Sequence, residues 1–279
     1  MKRGHVWNLS GHGPRQNVPF LLIILSVNPM NNSSVTLKTA VGVILLTILS
    51  QQAQAAIALD RTRVIFNGDK SSTTTTITNQ NKTLPYLAQT WIEDGNGNKI
   101  DSPFTALPPL QRVEPGAKGQ IKIQSTGNTS ALPQDRESIF YFNVREIPPK
   151  SSKPNTLQLA LQTRVKMFYR PAALALTPSE DNEIQKKLTL TAQGDSYQLN
   201  NPTPYYVTIS GVSASGKTAE SKDFQPIMVA PKSSSSLGVS VSALGSHPVL
   251  SFINDYGGHP QLNFNCSGST CTVANVKAG

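Results

Sequence analysis

Apolar and polar residues alternate in short runs along most of the chain, and turn-forming residues separate the runs. Examples are residues 86–93, 119–125 and 138–147, which lie near turn sequences such as DGNGN at 94–98 and EPGAKG at 114–119. A period of two is typical of a β-strand, whereas an amphipathic helix repeats every 3.6 residues. The pattern therefore predicts a mostly β protein built from short antiparallel strands.

The longest alternating run spans residues 157–171 and changes character halfway along. Leu157, Leu159 and Leu161 occupy every second position of its first half, whereas cations stand between the apolar residues of its second half. We predict a single strand that ends at a proline. Because alternation does not say which face is inside, the leucines fit either the core of their own domain or the surface of a partner.

The strand-like runs form two series that resemble each other. TNQNKTLPYLAQTWIED, which starts at residue 78, and LNNPTPYYVTISGVSA, which starts at residue 199, both carry an Asn, then Pro-Tyr, then an alternating run. VEPGAKGQIKI and VAPKSSSSLGV form a second such pair. The repetition predicts two related β-sandwiches in tandem, over residues 56–176 and 177–279.

The N-terminal region is typical of an export signal. Residues 30–55 contain a lysine, an apolar run and the small-residue cleavage sequence Ala53-Gln54-Ala55, and the apolar run is too short to span a bilayer. We therefore expect a signal peptide that is cleaved after Ala55. Residues 1–29 have no matching role, so we interpret them as an extension of the gene model upstream of the true start, with an unusual leader as the alternative.

Two cysteines, Cys266 and Cys271, lie near the end of the chain in the sequence NCSGSTC. In an oxidising compartment this spacing, with Gly and Ser to form a turn, predicts a disulfide that closes a small hairpin loop. A metal site is the alternative, but His259 is the only histidine nearby, and two thiols at this spacing do not complete a zinc site. We expect no bound metal and no cofactor.

Charge and motifs exclude several classes of function. The net charge is +9, but residues 1–55 hold four cations and no acid, which leaves 21 cations against 16 acids and a net charge of +5 for the rest. No basic helix or aromatic-rich basic stripe indicates nucleic acid as a partner. His247 and His259 both stand beside a proline, and no nucleophile, zinc-protease or phosphate-loop motif accompanies them. We predict that the protein is not an enzyme and has no catalytic residues.

Several long blocks of the chain resemble the PapD-type periplasmic chaperones of the chaperone–usher pilus pathway. They run in order from about residue 56 to residue 271, and they are ALDRTRVIF, LPYLAQTWIE, LPQDRESIFYFNVREIPP, LQTRVKMFYRPAAL, NPTPYYVTISG and FINDYGG. The resemblance implies an all-β fold of two immunoglobulin-like β-sandwich domains, set at an angle with a cleft between them. PapD is a known example of this architecture, and strand donation to pilins is a known mode of recognition.

The resemblance also implies a periplasmic chaperone and names its partners. A pilus subunit with an incomplete immunoglobulin-like fold would be bound, folded and capped by a strand lent by the chaperone, then delivered to the outer-membrane usher without ATP. The free chaperone is expected to be a monomer or a weak self-dimer.

Specific residues of this sequence match positions that serve the family's function. The resemblance implies that Leu157, Leu159 and Leu161 belong to the donor strand. It also implies that Arg63 and Lys166 bind the C-terminal carboxylate of the subunit. The interdomain salt bridge falls on Glu137, Arg170 and Asp255.

A second class of function is an exported pilus subunit or adhesin with immunoglobulin-like domains. Such a protein is also secreted and β-rich. Two features oppose it, because the chain has two predicted sandwiches and its leucine-rich strand is internal, whereas a subunit usually has one sandwich and an N-terminal donor segment.

Overall fold

Short β-strands make up most of the computed structural model, which describes residues 55–279 except 128, 178–179, 181–182, 216–220 and 223. The predicted upstream extension and nearly all of the predicted signal peptide lie outside the described residues. Among the described residues, no helix is long and apolar enough to cross a membrane.

The first half of the described chain forms two facing sheets. Its strands are β1 (Ile57–Leu59), β2 (Arg63–Asn67), β3 (Ser72–Asn79), β4 (Tyr86–Glu93), β5 (Lys99–Ile100), β6 (Phe104–Leu107), β7 (Leu110–Val113), β8 (Lys118–Ser125), β9 (Ser138–Ile147) and β10 (Gln162–Arg170). One sheet has the order β1-β3-β8-β6, and the other has the order β2-β10-β9-β4-β5, with β7 also paired to β4. The pairing is antiparallel apart from β2 and β10, which run parallel.

Alternation decides which side chains fill this sandwich. Val64 and Phe66 of β2 and Met167 of β10 point inward and are almost completely buried. The ring of Phe66 packs on that of Phe104 from the opposite sheet, with 4.8 Å between their centroids. Burying one such side chain stabilises the fold by roughly 1.5–3 kcal/mol. The intervening residues of β2 and β10 therefore face away from this core.

The second half of the chain has its own core. Its strands are β11 (Thr189–Gln193), β12 (Ser196–Asn201), β13 (Val207–Ala214), β14 (Ile227–Val229), β15 (Ser233–Ser240), β16 (Pro248–Phe252), β17 (Gln261–Ser267) and β18 (Thr270–Lys277). They pair in the order β14-β13-β16-β17-β18-β11-β12-β15. The two end strands, β14 and β15, also lie near each other, and the strands surround a hydrophobic cluster separate from that of the first half.

The repeated Asn motif has the same structure in both halves. At the end of β3 the buried Asn79 side-chain amide donates hydrogen bonds to the carbonyl oxygens of Leu84 (2.9 Å) and Val113 (3.0 Å). Its side-chain oxygen accepts a hydrogen bond from the backbone N–H of Asn81. One side chain thus ties the end of β3 to the turn before β4 and to the end of β7.

Asn201 repeats this arrangement at the end of β12. Its side-chain amide donates to the carbonyl oxygens of Tyr205 (2.8 Å) and Ala230 (3.0 Å), and its oxygen accepts from the N–H of Thr203. Asn201 is 1% exposed and Asn79 is fully buried. The sequence echo therefore reflects equivalent turns in two related sandwiches. The boundary of the two domains at residue 176 stays a prediction.

Two predicted strands differ from the structure. The alternation in LGVSVSA, residues 237–243, predicts one strand, but β15 ends at Ser240 and a short helix, α1 (Val241–Leu244), follows. The Ser240 hydroxyl accepts a hydrogen bond from the N–H of Ala243, which caps this helix. The predicted strand 157–171 is also shorter than expected, because β10 begins only at Gln162.

Candidate functional site

The leucine segment, residues 157–161, lies on the surface just before β10. Leu157 is 83% exposed, Leu159 is 65% exposed and Leu161 is 40% exposed. These leucines therefore do not belong to the core of their own domain, so that alternative is wrong. An exposed row of apolar side chains in a folded domain indicates a contact surface.

The backbone of this region is open on one side. The last residue of the leucine segment continues the ladder with β9, since the N–H of Glu146 donates to the carbonyl oxygen of Leu161 at 2.9 Å. On the other side of β10, the pairing with β2 starts only at Lys166. Within the described part of the chain, no strand pairs with the far side of residues 162–165, so their backbone forms a free sheet edge.

Two cations lie side by side where β2 joins β10. Lys166 is the register partner of Arg63 in this parallel pair, and the neighbouring residues Val64 and Met167 point into the core. Both cations therefore project from the outer face of the sheet, at the approximately 4.8 Å spacing of adjacent strands. The structure thus brings together the two residues that the family resemblance implied as a carboxylate site.

The surroundings of the two cations differ. Arg63 is 7% exposed, and its Nη1 donates a hydrogen bond to the carbonyl oxygen of Ile253 in the second domain at 2.9 Å. Lys166 is half-buried. Burial and the adjacent charge of Arg63 lower the pKa of Lys166 below its usual value. Among the described residues, no carboxylate forms an ion pair with Lys166, so an incoming anion would meet an unneutralised ammonium group.

A cavity of about 400 Å³ opens beside Arg63. Residues of both domains line it, among them Asn67, Arg170 and Tyr256. Its position matches the cleft that the sequence analysis expected. Arg63 lines this cavity, whereas Lys166 does not.

Arg170 connects the two halves at the base of this cleft. Its Nε and Nη2 contact Oε1 of Glu137 at 2.8 and 2.7 Å, and its Nη1 contacts Oδ2 of Asp255 at 2.6 Å. Arg170 is 4% exposed and Glu137 is 3% exposed. The three charges that the sequence grouped therefore form one largely buried cluster in which two carboxylates share a guanidinium group.

The pKa values of Glu137 and Arg170 are both raised, but for different reasons. It raises the pKa of Glu137 to about 7, because loss of solvent outweighs the attraction of Arg170 and a hydrogen bond from the N–H of Tyr206. For Arg170, hydrogen bonds and nearby carboxylates outweigh the loss of solvent, and they raise its pKa further. The guanidinium group therefore keeps its charge while the buried carboxyl group holds a proton more tightly than usual.

Sequence reasoning missed several neighbours of this cluster. Tyr206 donates its N–H to Oε2 of Glu137 at 2.8 Å, and its ring stacks on Phe168 with 5.4 Å between centroids. The sequence did hold a signal for Phe168, because alternation places it on the outer face of β10 with Lys166 and Arg170. Alternation could not identify its partner Tyr206, because that residue belongs to the other domain.

A second pair of opposite charges also links the two halves. Lys232 contacts the carboxylate of Asp135, which is shared with Arg136, and the N–H of Lys232 donates to the carbonyl oxygen of Thr203. All three charged side chains are exposed, so solvent screens their attraction. The sequence offered no signal for this contact.

The predicted disulfide between Cys266 and Cys271 is confirmed. The two cysteines are register partners in the hairpin of β17 and β18. The structure therefore favours the disulfide over the metal alternative. No cluster of potential metal ligands occurs among the described residues.

Comparisons with known proteins agree with this architecture. The family described as "Pili and flagellar-assembly chaperone, PapD N-terminal domain" matches residues 56–175, and "Pili assembly chaperone PapD, C-terminal domain" matches residues 183–264. The chaperone protein PapD of Escherichia coli is 52% identical over 227 residues, which cover 81% of this chain and 92% of PapD.

Solved chaperone structures show the same fold. The YadV chaperone is 37% identical with a TM-score of 0.61, and the match covers 76% of this chain and all of YadV. The periplasmic chaperone SfaE is 32% identical with a TM-score of 0.60, and the match covers 74% of this chain and 98% of SfaE. The predicted all-β fold of two immunoglobulin-like domains is thereby confirmed, and a chaperone family accounts for a sequence without catalytic motifs. The chain belongs to the PapD family of periplasmic pilus-assembly chaperones.

Proposed function

We propose that this pilus chaperone captures subunits by adding its own strand to their incomplete sheet. The exposed leucine segment, continuous with a free sheet edge, is the observation that carries the proposal. The backbone groups of residues 157–160, together with the one free edge of residues 162–165, can form hydrogen bonds with strands that border a gap in the subunit. The chaperone would then lend the strand that the subunit lacks.

The leucines supply the apolar part of this contact. Leu157, Leu159 and Leu161 are two residues apart, so in an extended chain they project from the same side at intervals of about 6.6 Å. Each would enter one pocket of the subunit groove. Complete burial of a leucine contributes roughly 1.5–3 kcal/mol, and no nucleotide is needed because the contact itself stabilises the subunit.

Arg63 and Lys166 set the register of this strand. Every subunit ends in a carboxylate, and two adjacent cations at one end of the donated strand can hold that group whatever the rest of the sequence is. A slip by one residue would turn the leucines away from the groove. The carboxylate site therefore fixes which residue of the subunit meets each leucine.

Export and delivery complete the proposal. The chain is cleaved after Ala55, works in the periplasm as a monomer or weak dimer, and passes its subunit to the outer-membrane usher. The cluster of Glu137, Arg170 and Asp255 holds the two domains at the angle that leaves the cleft open. Both halves match chaperone domains, which argues against the alternative of a pilus subunit or adhesin.

Co-purification with a subunit encoded beside this chain tests strand donation. We expect Leu159→Glu to abolish capture of an N-terminally tagged subunit while the free chaperone stays folded, because a carboxylate is tolerated in water but costly in an apolar pocket. Ala160→Glu is the matched control, since it places the same charge one residue along, on the opposite face. It should retain most of the capture.

Two results would oppose the proposal. Equal loss of capture in both variants would mean that charge in this segment matters rather than the leucine face. Unfolding of the Leu159→Glu variant, followed by circular dichroism, would show that Leu159 supports its own domain.

A further inference from the structure

A buried carboxylate lies between the two sheets of the first sandwich, at one end of it. Glu146 follows Phe140, Phe142 and Val144 on the core-facing side of β9, and it is 6% exposed. Its Oε2 accepts a hydrogen bond from the backbone N–H of Ile57 at 2.9 Å. The contact joins β9 of one sheet to β1 of the other, so the Glu146 side chain bridges the two layers.

This carboxylate has no partner of opposite charge among the described residues. No lysine or arginine of that part of the chain forms an ion pair with Glu146, although a buried carboxylate usually has a cation or several hydrogen bonds around it. One backbone N–H supplies only a single donor to a group with two oxygens. The surroundings of Glu146 are therefore suited to a further positive group.

The proposed cleavage site lies one residue away. Ile57 directly follows Ala56, which becomes the first residue if the signal peptide is removed after Ala55. Hydrolysis of that peptide bond consumes one water, leaves a carboxylate on Ala55 and creates an amine on Ala56, which takes up a proton at neutral pH. Consecutive backbone nitrogens lie at most about 3.7 Å apart, so the new ammonium group lies within about 7 Å of the Glu146 oxygen.

We propose that Glu146 is the binding site for the α-ammonium group that signal-peptide cleavage creates on Ala56. The inference rests on the proposed cleavage after Ala55. The carbonyl oxygen of Ala56 already accepts a hydrogen bond from the N–H of Gln80 at 2.7 Å, so the residue is held at this position. In the precursor the nitrogen of Ala56 is an uncharged amide, and the ion pair cannot form.

The same residue links the new N-terminus to the leucine segment. The backbone N–H of Glu146 donates to the carbonyl oxygen of Leu161, while its side chain holds Ile57. An ion pair with Ala56 would therefore fasten the end of the sandwich at the point where the leucine segment leaves it. Cleavage would complete the domain that carries the proposed donor strand, as well as releasing the chain from its signal.

A double-mutant cycle on the exported protein tests this inference. The full-length precursor would be expressed in four forms: unaltered, Glu146→Gln, with Gly-Ser inserted between Ala55 and Ala56, and with both changes. Each product is purified from the periplasm, its first residue is identified by N-terminal sequencing, and its unfolding in urea is measured. Glutamine keeps an acceptor for the Ile57 N–H and removes only the charge, and the insertion moves the ammonium group away.

We expect Glu146→Gln to shift the unfolding equilibrium by about tenfold or more when Ala56 is the first residue, since hydrogen-bonded charges are worth roughly that much. In the inserted form the same change should cost less than about threefold. As a second readout that does not require the Gln variant to fold, the α-amine of the unaltered protein should react more slowly with acetic anhydride than that of the inserted form.

The outcomes separate the two proposals. If the product without the insertion begins at a residue other than Ala56, the cleavage site and this inference are overturned together. If it begins at Ala56 and the inserted product at the added Gly, but Glu146→Gln costs equal stability in both or their amines react equally fast, the inference alone is overturned. In that case Glu146 would serve only as an acceptor for Ile57, and the proposal of subunit capture would stand.

Discussion

At the scale of single residues, the two cations of the cleft have different capacities. The guanidinium group of Arg63 is nearly buried and donates to the carbonyl oxygen of Ile253, so its orientation is fixed. Lys166 carries a compact charge on a flexible stem, and burial and the adjacent charge of Arg63 lower its pKa because both disfavour the ammonium form. An incoming carboxylate would relieve that cost at Lys166 more than at Arg63.

Lys166 is therefore the cleaner residue for testing the carboxylate site. We expect Lys166→Met, which keeps a similar length, to weaken binding of a peptide from the end of a subunit at least about tenfold, since a charged hydrogen bond is worth roughly 1.5–3 kcal/mol. Amidation of the peptide should weaken binding to the native protein similarly and leave little further effect of Lys166→Met. Titration calorimetry with the four combinations measures this coupling.

The Lys166→Met experiment has a matched control and a result that would contradict it. Arg112→Ala removes an exposed cation that pairs with Glu114 outside the cleft, and it should leave peptide affinity unchanged. If Lys166→Met weakened binding of the amidated peptide as much as binding of the unmodified peptide, Lys166 would support the cleft rather than bind the carboxylate. Arg63→Ala should also reduce capture, but it removes the contact with Ile253 at the same time.

At the scale of elements, alternation predicted most strands but not every end. The expected runs 86–93 and 138–147 coincide with β4 and β9, because hydrophobic spacing alone defines a half-buried strand. The run that begins at Leu157 has the same spacing, yet pairing starts only at Gln162. A strand needs another strand to pair with. The sequence does not reveal that no strand of the described chain pairs with the leucine segment.

Other features were hidden because they depend on contacts far apart in sequence. The face of the leucines, the partner of Phe168 and the pairing of Lys232 with Asp135 all require the three-dimensional arrangement of two sheets or two domains. The resemblance to a family gave the residues of the carboxylate site and the charge cluster, which spacing alone did not indicate. Local hydrogen bonds decided α1, where the Ser240 cap ends an otherwise regular strand pattern.

The paired asparagine turns lead to a prediction at this scale. We expect Asn79→Ala and Asn201→Ala each to lower the free energy of unfolding by about 2–4 kcal/mol, because each change leaves one buried and one partly buried carbonyl oxygen without their donor. Asn265→Ala, at an exposed position in β17, is the control and should change stability by no more than about 0.5 kcal/mol. Urea unfolding measures all three, and a mild effect at Asn201 alone would show that the two turns are not equivalent.

At the scale of the whole molecule, two sets of charges among the described residues join the domains. They differ in burial, and therefore in how strongly each holds the domains together. The cluster around Arg170 is largely buried, so removing its cation takes away the guanidinium group that Glu137 and Asp255 share, which carries a large penalty. The pair of Lys232 with Asp135 is exposed and contributes little. We therefore expect the buried cluster, rather than the exposed pair, to set the interdomain angle.

Small-angle X-ray scattering can test this ranking. We expect Arg170→Ala to broaden the distribution of interdomain distances and to reduce subunit capture, while Lys232→Ala, the matched control, changes neither. Scattering profiles and capture that match the native protein in both variants would show that other contacts, such as the stacked rings of Phe168 and Tyr206, hold the domains without the charges.

Protonation of Glu137 gives the same interface a dependence on pH. Its pKa rises from 4.5 in the unfolded chain to about 7 in the folded protein because burial penalises the carboxylate. The folded state therefore binds this proton more tightly, and the resulting stabilisation is complete below pH 4.5 and is lost as the pH rises through about 7.

Glu137→Gln keeps the shape of the side chain without a titrating group. In urea unfolding measured from pH 4.5 to pH 8, the native protein should lose more stability with rising pH than the Gln variant, whereas Glu183→Gln, at an exposed position, should follow the native curve. Parallel curves for the native protein and Glu137→Gln would mean that attraction to Arg170 outweighs burial and keeps Glu137 ionised throughout this range.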